Sequence, residues 1–512
     1  MESITYQPAL RPALPCVYGP LDYREQRAVY EKIDAILSAS GLEQEFINLA
    51  VGDREFDTQA ATGKRLARFA RFSVLALRAN IARNLTGLGH RDFCARLADS
   101  PLLQWFLHVG QVDSVRVFSK STSDRFSTWA SDESLHAINE KLTALLGAAG
   151  SNDNGDAAPS AVFGLPAPIT CDEVFFDSTC LKADVHFPVD WVLLRDIART
   201  LMKATVLIRK AGLKKRMPQE PLEFLSDMNT LCMKMSAKRR AADSKRQRKQ
   251  VLREMKTLEK CIADHAQAHL EALRTRWQET DLSEGRVCVI IARMEGVLDQ
   301  LPAAINQAHE RIIGERKVQN KDKILSLYDD SINVIVRGKA NAEVEFGNKL
   351  WLGESREGII VDYMLYQDNP SDPALVKPAI QRLVDAQGLD LKHAWGDRGL
   401  FSRANQEMLE QRGIRSGLCP RAVAELADRL ENETGFREGL KRRAGTEARI
   451  GIFKNVFLGR PPQAKGFAHR ELVVGWAVLT HNLWVVARLA LAEEKRQAEQ
   501  KQEPPSRKRR AG

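Results

Sequence analysis

No two cysteines in this chain are spaced as C-x-x-C. The eight present (Cys16, Cys94, Cys171, Cys180, Cys232, Cys261, Cys288 and Cys419) are scattered over 512 residues. That excludes a zinc ribbon and a disulfide framework, and they read as reduced thiols of a cytoplasmic protein. No fixed-period repeat, heptad array, collagen pattern or glycine-rich phosphate loop is present, which excludes solenoids, coiled-coil rods and P-loop chemistry. The N-terminal MESITY has no basic stretch leading into an apolar one, so no signal peptide is expected. One apolar run, Leu472 to Leu491, is long enough to span a bilayer. Its middle holds Thr480, His481 and Asn482, with Arg488 near its end. Such groups are costly in lipid, so a buried core helix of a soluble chain is expected, with no membrane partner. His265 and His269 in HAQAH share a helix face but lack a third ligand or an intervening glutamate, and read as plain surface residues.

What is present is charge and apolar bulk. Hydrophobic residues make up 44% of the chain, enough to bury a large core, and the length fits two to four domains. Lys and Arg number 76 against 66 Asp and Glu, a formal charge of +10. A basic surplus favours polyanionic partners through counterion release. It is uneven: Lys238 to Lys260 holds ten Lys and Arg against three Asp and Glu. A long basic helical hairpin or a solvated coiled coil fits that run.

Patterning divides the chain. Residues 1–146 read as a helical DNA-binding domain: Leu66, Phe69, Phe72, Leu75 and Leu77 recur at near-helical spacing with Arg65, Arg68, Arg71 and Arg78 among them. Ser121 or Thr122 is the expected N-cap of a helix carrying Arg125. Residues 147–168 are rich in breakers and read as a linker. Residues 169–190 and 322–492 read as a catalytic α/β domain interrupted by a helical insertion over 191–321. Residues 493–512 read as a disordered basic tail.

Within the α/β part, EVFFDST reads as an apolar strand ending at Asp177. VEFGNKLWL and GIIVDYMLY form a hairpin around Gly353–Gly358. A helix begins at Asp372-Pro373, with Pro378 imposing a kink or a later start. LKHAWGD is a strand ending at Asp397, and a helix, a strand and a helix with Glu447 follow. With the insertion set aside, this is the element order of a ribonuclease-H-like fold, a mixed sheet flanked by helices in which remote acids meet at one edge. Attack of water or a 3′-hydroxyl on a phosphodiester needs a deprotonated nucleophile and a neutralised leaving oxygen. Two Mg²⁺ ions do both, and three carboxylates suffice to hold them. Taken singly, an Asp at a strand end is as readily a turn former. Arg443, Glu447 and Lys454, spaced by four and seven, fall on one helix face, where the two cations would reach phosphates beside the acid. Gly445 and Gly451 weaken that helix, and close approach of DNA or of a packed neighbour would explain them.

R-x3-E-x6-K, met as Arg443, Glu447 and Lys454, resembles the third-acid signature of insertion-sequence DDE transposases. DSTCLKADVHFPVD resembles their first-acid block and GDRGLFS their second. RGKANAEVEFGNKLWL, KGFAHRELVVGWAVLTHNLWVVARL and the N-terminal RLADSPLLQWFL and STSDRF resemble further segments, with the ISNCY group and its neighbours nearest. The resemblance implies cleavage of double-stranded DNA at terminal inverted repeats and transfer of the 3′ ends to target DNA. It implies Asp177, Asp397 and Glu447 as ligands of two Mg²⁺ ions, with Mn²⁺ able to substitute, and a homodimer joining two element ends. Arg443, Lys454, Arg398, Arg125, Lys238, Arg239 and Arg240 are the candidate DNA contacts. The signature usually begins with Tyr three residues before the Arg. Leu440 stands there, so a hairpin-stabilising role does not carry over. Trp476, Trp484 and Phe401 are candidate base stackers or core residues. A catalytically inactive DNA-binding derivative and a ribonuclease-H-like nuclease are the alternatives. The first sits poorly with a complete acid set, the second with a large basic N-terminal region.

Overall fold

Seven helices form among the described residues before the first strand, in the computed structural model: α1 (Leu21–Ala39), α2 (Leu42–Asp53), α3 (Gly63–Thr86), α4 (His90–Asp99), α5 (Pro101–Phe106), α6 (Lys120–Ser127) and α7 (Asp132–Gly147). The structure describes all residues except 1–3, 7–10, 12, 15, 111–113, 148–162, 186–188, 238–242, 340–341, 460–463 and 503–512, together with the side chains of 337–343. Most of the expected linker therefore lies outside the described residues. Ser119, not Ser121 or Thr122, caps α6, accepting from the Thr122 amide at 3.3 Å.

The chain then runs through β1 (Glu173–Lys182), α8 (Asp190–Lys210), α9 (Pro221–Ala237), α10 (Ser244–Arg276) and α11 (Glu284–Ala308). It continues with β2 (Asn333–Lys339), β3 (Ala342–Ser355) and β4 (Ile360–Tyr366). A helical segment follows, 3₁₀ over Asp372–Leu375, α12 over Val376–Ile380 and π over Gln381–Ala386. So the helix expected at Asp372-Pro373 forms, with Pro378 in its first α turns and the winding loosening after it. Last come β5 (His393–Gly396), α13 (Arg403–Gln411), β6 (Arg415–Leu418), α14 (Val423–Asn432), α15 (Phe436–Ile452, continued by a π turn, Phe453–Phe457) and α16 (Phe467–Gln502). The tail expected to lack structure from 493 is thus helical to Gln502.

Two compact units result, residues 1–182 with 348–512, and residues 183–347. In the first unit the strands run β4, β3, β1, β5, β6 across the sheet. β1 pairs in parallel with β5, and β5 with β6, while β3 and β4 form the antiparallel hairpin. The expected boundary at 146 separates nothing. The N-terminal helices share one core with the sheet and with α16, through Phe46, Leu77, Leu135, Phe176, Trp351 and Trp476. The polar groups of α16 have partners in that core. Asn482 accepts from the Ile360 amide at 2.8 Å and donates to its carbonyl at 2.9 Å, and Thr480 accepts from Asn84 at 3.3 Å. This helix has the length and apolarity to span a bilayer, and 67% of its apolar window is buried within the protein.

The first unit also absorbs an arginine expected on a basic surface. Arg78 is wholly buried, held by Glu43 at 2.5 Å, by Asp34 at 2.6 Å and by the Phe106 carbonyl at 2.9 Å. Burial opposes ionisation of Asp34, but His108, Arg11 and Arg78 outweigh it and hold the carboxyl well below the usual range. Arg65, Arg68 and Arg71 remain exposed along α3.

The second unit is helical with a short β ladder. α8 to α11 bury Leu194, Ile197, Leu201, Met255, Ile262, Leu270 and Met294 against one another. β2 pairs with the first residues of β3, so the insertion extends past 321 to take in a strand assigned to the catalytic part. His269 is buried with both ring nitrogens engaged, by the His265 carbonyl at 2.7 Å and the Lys215 amide at 3.3 Å. It is no half of a metal pair.

Candidate active site

Strand register sets two of the acids side by side. The parallel ladder between β1 and β5 ends on the pair Phe175 and Trp395. Asp177 and Asp397 each lie two residues beyond that pair, the first on β1 and the second just past the end of β5, its neighbour about 4.8 Å away in the sheet. Period-two alternation turns both acids to the face opposite to that of the residues between them. Asp397 follows the last residue of β5, as expected. Asp177 does not end its strand, because β1 continues through Ser178 to Lys182, with Thr179, Cys180 and Leu181 buried.

The third acid stands on α15, whose placement rests on two glycines. A Cβ at Gly439 of α15 or at Gly417 of β6 would fall within the Trp395 ring. Only glycine lets helix and strand close on that indole. Phe175 stacks on the same ring at 6.1 Å, Phe436 packs at 5.9 Å, and Glu173 of β1 accepts from the indole N–H at 2.8 Å. The elements bearing Asp177, Asp397 and Glu447 thus meet on one side chain. No packed neighbour accounts for Gly445 and Gly451: a Cβ at the first would meet only the guanidinium end of Arg449, at 3.3 Å, and at the second nothing within 4 Å.

Rotation of α15 is fixed from behind. The Glu354 carboxylate of β3, 4% exposed, accepts from Thr446 at 2.7 Å and from Arg449 Nε at 2.8 Å, with Arg442 at 3.4 Å. Arg442, Thr446 and Arg449 form one stripe of the helix, which leaves Arg443 and Glu447 on another. Glu447 is exposed. Lys454 falls on the π turn, beyond the α-helical part, and its ammonium donates to the Thr179 hydroxyl at 3.0 Å and the Cys180 carbonyl at 2.7 Å. The expected phosphate-seeking lysine is in this structure a tether from the end of α15 to the strand of Asp177.

Electrostatics ties the group together. Burial, then the charge of Asp397, and least that of Glu447, push the Asp177 carboxyl up to about 6, while Arg443 and the Ser178 amide oppose them. Arg443 Nε is itself buried without a hydrogen-bond acceptor. Among the described residues no three acidic, histidine or cysteine side chains already close around a point as a cage. The acids share a field rather than a preformed nest. An excess of carboxylate charge that raises its own proton affinity fits a divalent cation, and oxygen donors fit Mg²⁺ or Mn²⁺.

Sequence reading missed Asp372, taken only as a helix start. Its Oδ1 accepts from Ser178 at 3.2 Å and from the buried Lys349 ammonium at 2.8 Å. A Cβ on Gly399 would stand 3.0 Å from Asp397 Oδ1 and 3.3 Å from Asp372 Oδ2, so this fourth carboxyl borders the loop behind Asp397. Nothing in the spacing of an Asp-Pro pair signals that role.

Of the remaining candidates, Arg398 and Arg125 are exposed, the latter donating to Thr122 Oγ1 at 3.2 Å. Lys238, Arg239 and Arg240 lie outside the described residues. Trp476 is 1% exposed and donates to the Ser127 carbonyl at 3.0 Å, Phe401 is buried, and Trp484 packs on Phe457 with Arg488 against its ring. Trp476 and Phe401 belong to the core, and the half-buried Trp484 packs against it. No family model matches the chain, and no curated protein or solved structure does either.

Proposed function

We propose that the chain is a DDE-class DNA transposase on a ribonuclease-H-like core, cutting double-stranded DNA at terminal inverted repeats and joining the 3′ ends to target DNA. The observation that carries the reading is the shared offset of Asp177 and Asp397 from the paired Phe175 and Trp395, with Glu447 and Arg443 acting on the same half-buried carboxylate. The sheet order and the parallel β1–β5–β6 pairing support the fold. Asp177, Asp397 and Glu447 would hold the two metal ions, which when bound supply nucleophile activation and neutralise the leaving oxygen. Arg443, whose Nε lacks an acceptor, is suited to take a phosphate oxygen beside them. The Glu354 cluster and Lys454 hold the helix of Glu447 against the sheet, keeping the acids near one another. Arg398, Arg125 and the exposed arginines of α3 offer phosphate contacts outside the acid group. A homodimer is the working form, because two element ends must be joined.

Asp397→Asn tests this. It should lower Mg²⁺-dependent cleavage of end-bearing DNA by at least about a hundredfold, about 2.7 kcal/mol in the barrier, while binding to the same DNA stays within about twofold. Cleavage at the wild-type rate would remove Asp397 from the site. Wild-type chain that binds element ends but never cuts would favour the inactive DNA-binding derivative.

A further inference from the structure

The helical unit holds a groove that the acids of the sheet do not use. Along α8, Arg199, Lys203 and Leu207 recur every four residues. Along α11, Arg286, Val289 and Arg293 recur at three and four. Each helix therefore turns one stripe toward a shared cavity of about 570 Å³. Tyr328 joins the lining, its hydroxyl hydrogen bonded to Thr200 Oγ1 at 2.5 Å and its ring 5.4 Å from the Arg293 guanidinium.

Two properties of this groove need a ligand to explain them together. Its charge is uncompensated: no Asp or Glu lines it, and Lys203 and Arg286 make no ion pair among the described residues. Arg199 has only Asp196 at 3.8 Å, an acid that Arg195 holds at 2.9 Å. Yet the groove is also apolar at its surface, with Val289 67% and Tyr328 58% exposed and Leu207 beside them. A solvated basic face accounts for the first property but not the second, and an apolar protein partner for the second but not the first. A concave site with several cations, a tyrosine ring and aliphatic side chains is built for an anion with flat apolar faces. Duplex DNA offers such a site phosphates, sugars and base edges, but keeps the flat faces of its bases stacked inside.

We propose that the groove binds unpaired nucleic acid, its cations taking phosphates while Tyr328, Val289 and Leu207 take the exposed faces of bases. This stands independently of any chemistry in the sheet-bearing unit.

The test uses the full chain carrying Asp397→Asn, so that cleavage plays no part, with fluorescence anisotropy of a labelled oligothymidylate and of a blunt duplex of equal length. Lys203→Glu with Arg286→Glu should weaken oligothymidylate binding at least about tenfold and flatten its salt dependence, by about 0.7 in the log–log slope for each phosphate no longer neutralised. Tyr328→Ala should cost at least about fivefold on the oligothymidylate and leave the duplex unchanged, the effect of removing one stacking platform. Tyr328→Phe keeps the ring, drops the Thr200 bond and should bind as the parent does. Unchanged oligothymidylate binding in the charge-reversed chain would overturn the proposal. So would equal losses on duplex and oligothymidylate in every variant, or binding to phosphatidylserine vesicles with none to the oligothymidylate.

Discussion

Two carboxylates of the same sheet, the half-buried Asp177 on β1 and the buried Glu354 on β3, are both pushed up by burial and meet opposite company. Glu354 faces the back stripe of α15, where Arg449, Arg442 and Thr446 surround it. Its carboxyl is raised by burial, with Arg449 and Thr446 opposing. Asp177 faces acids: Asp397 and Glu447 add to the effect of burial, and Arg443 alone among the side chains opposes them. One site is complete within the protein, and the other carries an excess of negative charge that the protein leaves unmatched. The difference teaches that burial alone does not separate a structural acid from a candidate metal ligand; the sign of what surrounds each one does.

The largest way to break this comparison is to remove the completed member. Glu354→Ala strands two arginines against the sheet and should cost about 3 kcal/mol of unfolding free energy in denaturant titrations. A loss below about 1 kcal/mol would mean that α15 is held by its glycine contacts with Trp395 alone. Asp177→Asn should do the reverse. Asp177 binds its proton more tightly folded than unfolded, so folding is disfavoured as pH rises from about 4 through about 6, and the penalty is complete above that. The asparagine variant, without divalent cations, should therefore gain on the order of 1–3 kcal/mol at pH 8, and its advantage should vanish below about pH 4. Added Mg²⁺ should raise the wild-type melting temperature and leave the variant's unmoved. A variant less stable than wild type at pH 8 would show that Asp177 is compensated after all. The smallest effect sharpens the account of α15: Gly451→Ala, with open space at the new methyl, should stabilise by up to about 1 kcal/mol. A loss would mean that this glycine is needed for packing.

Much of the α/β part was legible because its signals are local. Period-two alternation gave β4, the Gly353–Gly358 turn gave the hairpin, and Asp397 at the end of β5 followed from a short apolar run closed by Arg398-Gly399. What failed was long-range. Asp177 read as a strand end because the polar Ser178 and Thr179 mask the continuation of β1, which the sheet buries. The arginines of α3 read as one basic face, yet Arg78 turns inward to Glu43 and Asp34, partners lying 35 and 44 residues away. Lys454 read as sharing an α-helical face with Glu447 because helical spacing was extended through a π turn that the sequence does not announce. Asp372 carried no signal beyond that of a helix start. The groove of the second unit was invisible for a related reason: its two stripes belong to helices whose neighbourhood no spacing rule specifies.

The indole of Trp395 has a consequence for how this sequence can change. Positions 417 and 439 accept no side chain while the large ring is there, and a smaller residue at 395 would empty a slot that both backbones were shaped to fill. The three positions are therefore free only jointly. A lineage drifting at any one of them alone would loosen the junction of β5, β6 and α15 before touching a single acid, and could draw Glu447 away from Asp177 and Asp397 with every carboxylate intact.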